Sequence, residues 1–296
     1  MQSHPSPLYG IFWFLLSLVV SSLNDLIMKS LGHALPALEI VFFRFLFGAL
    51  SLLPAVSVLE RPNLRLHLLR GGLLFSGISL WCYGIQVVPL SVASLLGFTI
   101  PLFTLPLAYF FLKEKVTSCR WLATIGGFLG VAVIAVPSVQ NFSWISLTLI
   151  AASFLFALLD VINKKVVRKE SMISMLFFSA LITALLSAVP TYFVWKTPSF
   201  SQLVLLFVLG LGANLIIYCI LQAFKFVEAS ALAPYRYFEP LLASTLGFIF
   251  FQEVPESTTI FGALLILPMT LWATFYKGGA PMMRLPKKLF WCSFRK

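Results

Sequence analysis

Acidic side chains are scarce in this sequence: Asp and Glu number 10 among 296 residues, and charged residues of both signs make up only 10%. Soluble globular chains carry about 25% charged residues, so this one is not built to be surrounded by water. Histidine is equally sparse, with His4, His33 and His67 far apart. Cys82, Cys119, Cys219 and Cys292 stand singly, with no CxxC pair and no histidine nearby. Neither a disulfide framework nor a zinc site is indicated, and no cofactor or metal is implied. A polytopic membrane enzyme would need a His, Ser/His or carboxylate cluster at one membrane face. The scattered histidines and short loops offer none, which argues against an enzyme.

What is abundant is apolar. Hydrophobic residues make up 60% of the chain and include 30 Phe, so the sequence reads as an all-α polytopic membrane protein. A span needs about 20 mostly apolar residues, and ten windows qualify: 8–30, 37–58, 67–87, 92–112, 119–137, 143–163, 172–194, 201–223, 229–251 and 258–276. The connections carry breakers such as Pro62-Asn63, Pro89, Pro137-Ser138 and Pro255. No loop is long enough to fold by itself. The apolar run from Tyr9 to Val20 lacks a preceding basic stretch and a following small-residue cleavage site. It is expected to be the first permanent helix.

The net charge of +11 raises nucleic acid as a partner, but the basic residues fall in short loops where they set topology. With the N-terminus cytoplasmic, the inner side receives seventeen: Arg61, Arg65, Arg70, Lys113, Lys115, Arg120, Lys164, Lys165, Arg168, Lys169, Lys225, Lys277 and five in the tail. The outer side keeps Lys29 and Lys196, and Arg44 and Arg236 lie inside spans. Both termini are therefore expected in the cytoplasm. The tail, residues 279–296, is basic with Leu285, Phe290 and Trp291 interspersed, which suits either the anionic inner leaflet or plain solvation.

A repeat recurs at an offset of 135–139 residues. Leu23-Asn24-Asp25-Leu26-Ile27-Met28-Lys29 returns as Leu158-Leu159-Asp160-Val161-Ile162-Asn163-Lys164, Pro101 as Pro240, and Phe111-Leu112-Lys113-Glu114 as Phe250-Phe251-Gln252-Glu253. Residues 1–139 and 140–278 thus form two five-helix units. Because five is odd, the second enters the membrane from the opposite face, giving inverted repeats with their interface near the midplane.

Charges inside spans are costly and mark function by default. In the ninth span, Tyr235 and Glu239 are four apart and Arg236 and Glu239 three apart, so an α-helix would set all three on one face. An Arg236–Glu239 ion pair is the purely structural alternative. Pro234 and Pro240 deprive the carbonyls of Ser230 and Arg236 of their helical donors, and Pro101 and Pro106 do the same in the fourth span. Bends are expected there, around a central cavity. Asp25 and Arg44 lie at similar depth near the outer side and can neutralise each other. Asp160 falls near the inner end of the sixth span, with Lys164 one turn on, and Ser179 stands where repetition would place Arg44. Asp25 and Asp160 with Lys164 are expected to serve outer and inner gates, with end-capping as the alternative. Glu114 and Glu253 are expected to bind backbone, and Asn24, Asn163 and Asn214 to bond between helices.

Two five-helix units, each with a glutamate after its fourth helix (Glu114, Glu253) and glycines in the fifth (Gly126, Gly127, Gly130; Gly262), resemble the EamA-type drug/metabolite transporter superfamily. Within it, Phe42-Phe43-Arg44-Phe45, Ile162-Asn163-Lys164-Lys165, Lys169-Glu170-Ser171-Met172 and Ala233-Pro234-Tyr235-Arg236-Tyr237 are similar to the S-adenosylmethionine uptake transporters of obligate intracellular bacteria. That resemblance implies a multi-pass protein of the bacterial inner membrane that takes up S-adenosylmethionine by alternating access, in some relatives against S-adenosylhomocysteine. It also implies roles: Arg236 for the carboxylate, Glu239 for the ammonium or a ribose hydroxyl, and Trp81, Tyr83, Phe98, Tyr235 and Tyr237 for adenine or sulfonium. Asp25 and Arg44 complete the expected substrate wall. Export of an amino acid or another small amphiphile on the same fold stays open at this point, as do monomer and homodimer.

Overall fold

The computed structural model describes residues 7–58, 63–87, 93, 96–135, 145–239, 242, 264 and 268. Every regular element among them is helical. Pro240, the Gln252-Glu253 stretch, Gly262, most of the tenth span and of the remainder of the ninth, the tail and Cys292 lie outside the described residues.

The helices are α1 (Pro7–Gly32), α2 (Ala37–Ser51), α3 (Leu64–Val87), α4 (Thr99–Leu107), α5 (Ser118–Ala135), α6 (Ser146–Val166), α7 (Met172–Tyr192), α8 (Phe200–Phe226) and α9 (Ala229–Leu232). Among the described residues, five are long and apolar enough to cross a membrane: α1, α3, α7, α8 and the stretch Leu147–Val166 of α6. Local chemistry starts and stops them. Ser199 opens α8 with a capping box, its hydroxyl accepting from the Gln202 amide while Gln202 accepts from the Ser199 amide. Ser171 caps α7 by accepting from the Ser174 amide at 3.1 Å.

Prolines reshape three spans, the fourth and ninth among them, where the sequence leads to an expectation of bends. The second window ends as α-helix at Ser51 and continues as a 3₁₀ turn, Leu53–Val58, around Pro54. In the fourth, α4 contains Pro106 and widens at Ala108–Leu112 into a π-helical turn that closes at Lys113, in the left-handed region at φ 56°. The ninth begins as one α-turn and tightens at Pro234 into the 3₁₀ segment Ala233–Phe238. In each case the ring removes a donor and crowds the preceding turn.

Packing joins the two halves of the chain. α1 lies on α8, α2 on α7 and α8, α3 on α6 and α7, and α4 on α6, while the 3₁₀ segment Ala233–Phe238 touches α1, α4 and α5. Close approach depends on small residues, as expected where apolar lipid gives helices no hydrophobic reason to associate. A Cβ on Gly210 of α8 would sit 2.7 Å from the Arg44 carbonyl and 2.8 Å from the Gly48 nitrogen of α2. Asn214, one turn along, donates to the Gly48 carbonyl at 2.7 Å and to Ser51 Oγ at 3.1 Å. The outer surface keeps its large apolar side chains, with Phe110, Tyr192, Phe193 and Phe200 all exposed. A hydrocarbon surround makes that surface favourable.

One topological assignment changes. Arg70, counted above among the inner loop cations, is buried inside α3 at 1% exposure. Its Nε donates to Asn163 Oδ1 at 2.8 Å and its Nη1 to the Met175 carbonyl at 3.3 Å, so interior acceptors rather than water neutralise it. Removing it from the loop count leaves the inner excess of cations intact.

Candidate functional site

Where the two halves meet, α1, α2, α3, α4, α6, α8 and the 3₁₀ segment after α9 surround a cavity of ≈ 150 Å³. Its charged lining is five residues from four elements: Asp25 of α1, Arg44 of α2, Asp160 of α6, and Arg236 and Glu239 in and capping the 3₁₀ segment, with Trp81, Ser21 and Asn163 beside them. Three carboxylates against two guanidiniums leave one formal negative charge in the wall.

The 3₁₀ winding decides which side chains of the ninth span reach this space. With three residues per turn, Arg236 and Glu239 align, and both line the cavity. Four residues on the same winding overshoot by a third of a turn. Tyr235, expected to share their face, is therefore turned away to stack on Phe238 at 6.4 Å between centroids.

Arg236 and Glu239 do not form the ion pair that was the structural alternative to ligand contact. Arg236 Nη2 instead bonds Asp160 Oδ2 of α6, and its guanidinium carbon sits 5.4 Å from the centroid of the Phe14 ring. Glu239 shares the cavity wall with Ser21 of α1. Asp25 accepts from Trp81 Nε1 at 3.0 Å. Its expected neutralising contact with Arg44 is not made within 4.0 Å, although the two interact electrostatically. Arg44 Nη1 points to Met28 Sδ at 2.7 Å instead. The two aspartates, assigned by sequence to opposite gates, both face this one cavity.

Other expected site residues lie elsewhere. Phe98 and Tyr237 are buried against each other, 5.9 Å between centroids. Tyr83 is 47% exposed on the outward face of α3 and does not line the cavity. Lys164 does not pair with Asp160; its ammonium donates to the carbonyls of Phe224 at 2.6 Å and Val227 at 2.5 Å. Those carbonyls end α8, where a cation is favoured.

Immediately after them, Glu114 accepts from the Ala229 amide at 3.1 Å, the Ser230 amide at 3.0 Å and Ser230 Oγ at 2.6 Å. The expectation that Glu114 binds backbone holds, and its partner is the start of α9. Arg120 adds an ion pair to Glu228 at 2.6 Å and a bond to Ser230 Oγ at 2.7 Å. The turn between α8 and α9 is thus gripped from the segment that follows the π-helical turn, from α5 and from α6. Asn163 and Asn214 bond between helices as expected, whereas Asn24 donates to Val20 of its own helix.

Sequence reasoning missed the buried cluster around Arg70. His67 Nδ1 lies 3.3 Å from Arg70 Nη1, and His67 Nε2 lies 3.6 Å from Glu170. The available signal was Arg70's place inside the third apolar window, 67–87. Among the described residues, no group of three or more His, Cys, Asp or Glu side chains is arranged to hold a metal ion.

Comparison with known proteins bears on what this cavity handles. The family model for the EamA-like transporter family matches twice, over residues 8–136 and 143–275. The S-adenosylmethionine uptake transporter of Rickettsia conorii is 46% identical over 273 residues, covering 90% of this chain and 93% of that protein. The protein of the same name from Rickettsia bellii is 45% identical over 271 residues, with the same coverage. A solved crystal structure matches the fold with a TM-score of 0.76 at 19% identity, covering 90% of this chain and 96% of its own.

Proposed function

The chain belongs to the EamA-like transporter family, and from that premise we propose that it takes up S-adenosylmethionine across the bacterial inner membrane by alternating access, using the charged central cavity as its binding site. The observation that carries this reading is the cavity's lining, which combines Asp25, Asp160 and Glu239 with Arg44, Arg236 and Trp81. S-adenosylmethionine presents a carboxylate, an ammonium and a sulfonium, one formal positive charge in all. A wall with one formal negative charge and both signs available is complementary to it. The Rickettsia relatives, named as transporters of this compound, support the same substrate.

The architecture in this reading has ten spans with both termini cytoplasmic, arranged as inverted repeats 1–139 and 140–278 followed by the tail 279–296. Support comes from the two family matches, one per half, from the inner excess of basic residues, and from helix packing. The contacts α1 with α8 and α3 with α6 exchange under such a repeat, as do α2 with α8 and α3 with α7.

Alternating access requires two gates. The cytoplasmic one is the grip of Lys164 and Glu114 on the α8–α9 turn. The outer one is Lys29 of α1, which donates to the Ile85 carbonyl of α3 at 3.4 Å. The cavity, at ≈ 150 Å³, is smaller than the roughly 300–1,000 Å³ usual for small-molecule sites. Its walls part to admit ligand, and the Arg236–Asp160 pair spans the space that opens.

The test is uptake of labelled S-adenosylmethionine into proteoliposomes, with and without S-adenosylhomocysteine inside and with and without a pH gradient. Accumulation stimulated by internal S-adenosylhomocysteine and indifferent to the gradient is expected. Accumulation of an amino acid without S-adenosylmethionine overturns the reading.

A further inference from the structure

Buried arginines in this bundle are not equally well matched. Arg236 has a carboxylate partner in Asp160, and Arg70 donates to Asn163 and to the Met175 carbonyl. Arg44 is different. It is 5% exposed, its Nη1 is directed at the thioether of Met28, and its guanidinium carbon stands 5.5 Å from the centroid of the Phe45 ring. Its Nε has no hydrogen-bond partner, and no carboxylate approaches within 4.0 Å among the described residues. A guanidinium offers five donors in a fixed fork. A weak sulfur acceptor and a ring face compensate its burial poorly. Arg44 also lines the cavity, so the missing acceptor can arrive from within it.

We propose that Arg44, and not Arg236, anchors the α-carboxylate of the substrate, while Asp25 and Glu239 seat its cationic end. Asp25 is held in place by the Trp81 indole, and it is electrostatically coupled both to Arg44 and to Glu239. An amino-acid head group therefore finds its anion site and its cation site on adjoining parts of the wall, contributed by α2 and by α1 with the 3₁₀ segment after α9. The Arg236–Asp160 pair is in this arrangement a strut that the ligand does not need to break. A bidentate carboxylate would take the free Nε and one Nη of Arg44, which is the fork geometry that a lysine cannot supply.

This inference rests on the reading of S-adenosylmethionine as substrate, and the experiment separates the two. The purified full chain is titrated with S-adenosylmethionine and with its decarboxylated analogue, which keeps adenosine, sulfonium and amine and lacks only the carboxylate. The wild type is expected to bind S-adenosylmethionine more tightly. Arg44→Gln raises its Kd roughly 30-fold or more, as loss of one member of a buried charge pair does. The Kd of the decarboxylated analogue changes by less than about 3-fold, so the preference disappears. Arg236→Gln weakens both compounds alike. Arg44→Lys shows the same selective loss at smaller size and carries the test if Arg44→Gln does not insert. Equal effects of Arg44→Gln and Arg44→Lys on the two compounds, or no effect on either, overturn the assignment of Arg44. A wild type that neither binds nor accumulates S-adenosylmethionine defeats the substrate reading itself, and this inference with it.

Discussion

Asp25 and Asp160 occupy matching places in two similar stretches, Leu23–Lys29 and Leu158–Lys164, yet they meet different partners. Asp160 holds Arg236, whereas Asp25 accepts from Trp81. The difference originates in the spans that face them. At the 139-residue offset that relates Pro101 to Pro240, Arg236 corresponds to Gly97 and Glu239 to Ile100. A Cβ on Gly97 would lie 2.8 Å from the tip of the Trp81 ring. The indole occupies the room that a side chain at that position would need. One half thus presents an acid with a cation and the other an acid with an aromatic, and a cavity between unlike walls suits an unsymmetrical ligand. Phe98 and Tyr237, which correspond at the same offset, touch each other where the halves meet.

The lysines of the two stretches also hold backbone carbonyls: Lys164 those of Phe224 and Val227 at 2.6 and 2.5 Å, and Lys29 that of Ile85 at 3.4 Å.

The sharpest way to break the comparison is at the ion pair. Arg236→Ala leaves Asp160 charged and buried, a loss of about 3–5 kcal/mol for a pair of this kind. Uptake of labelled S-adenosylmethionine should fall more than about 100-fold with insertion preserved, and normal uptake would show that the pair is dispensable. Lys164 comes next. Lys164→Ala removes two charge-assisted bonds, each worth about 1.5–3 kcal/mol, and is expected to lower the transport rate about 10-fold or more. An unchanged rate in flux assays would remove this grip from the gate.

On the aromatic side, Trp81→Phe keeps a ring and deletes the donor to Asp25, leaving an acceptor short of a partner at about 1–3 kcal/mol. A KM rise of about 10-fold is expected, and an unchanged KM would remove Trp81 from the site. The mildest change is Gly97→Ala, where the added methyl meets only the far end of the Trp81 ring. A KM increase of about 3-fold with little shift in thermal stability is expected. A large stability loss would mean that the glycine serves packing rather than the indole.

Much of this was legible in one dimension. The apolar windows located the helices, because a chain that must satisfy its backbone in lipid has few alternatives to helix. The intramembrane charges Asp25, Arg44, Arg236 and Glu239 were conspicuous for the same reason, and all four line the cavity. The aromatics were not separable. A chain with 30 Phe puts rings on every surface, and only Trp81 among the five anticipated aromatics lines the cavity. Arg70 was misplaced because its burial depends on Asn163 and the Met175 carbonyl, both about a hundred residues away in sequence.

The stretch around Arg236 shows the division most clearly. Sequence alone determined that two charges flanked by prolines lie within an apolar run, because composition and proline chemistry are local properties. Which residues those charges meet was decided only by tertiary structure. Pro234 tightens the winding to three residues per turn, turning Tyr235 away and aligning Arg236 with Glu239. The packing of α6 then delivers Asp160 to Arg236 before Glu239 can claim it. Partner choice among buried charges is a matter of distance in a folded bundle, and spacing along one segment does not contain it.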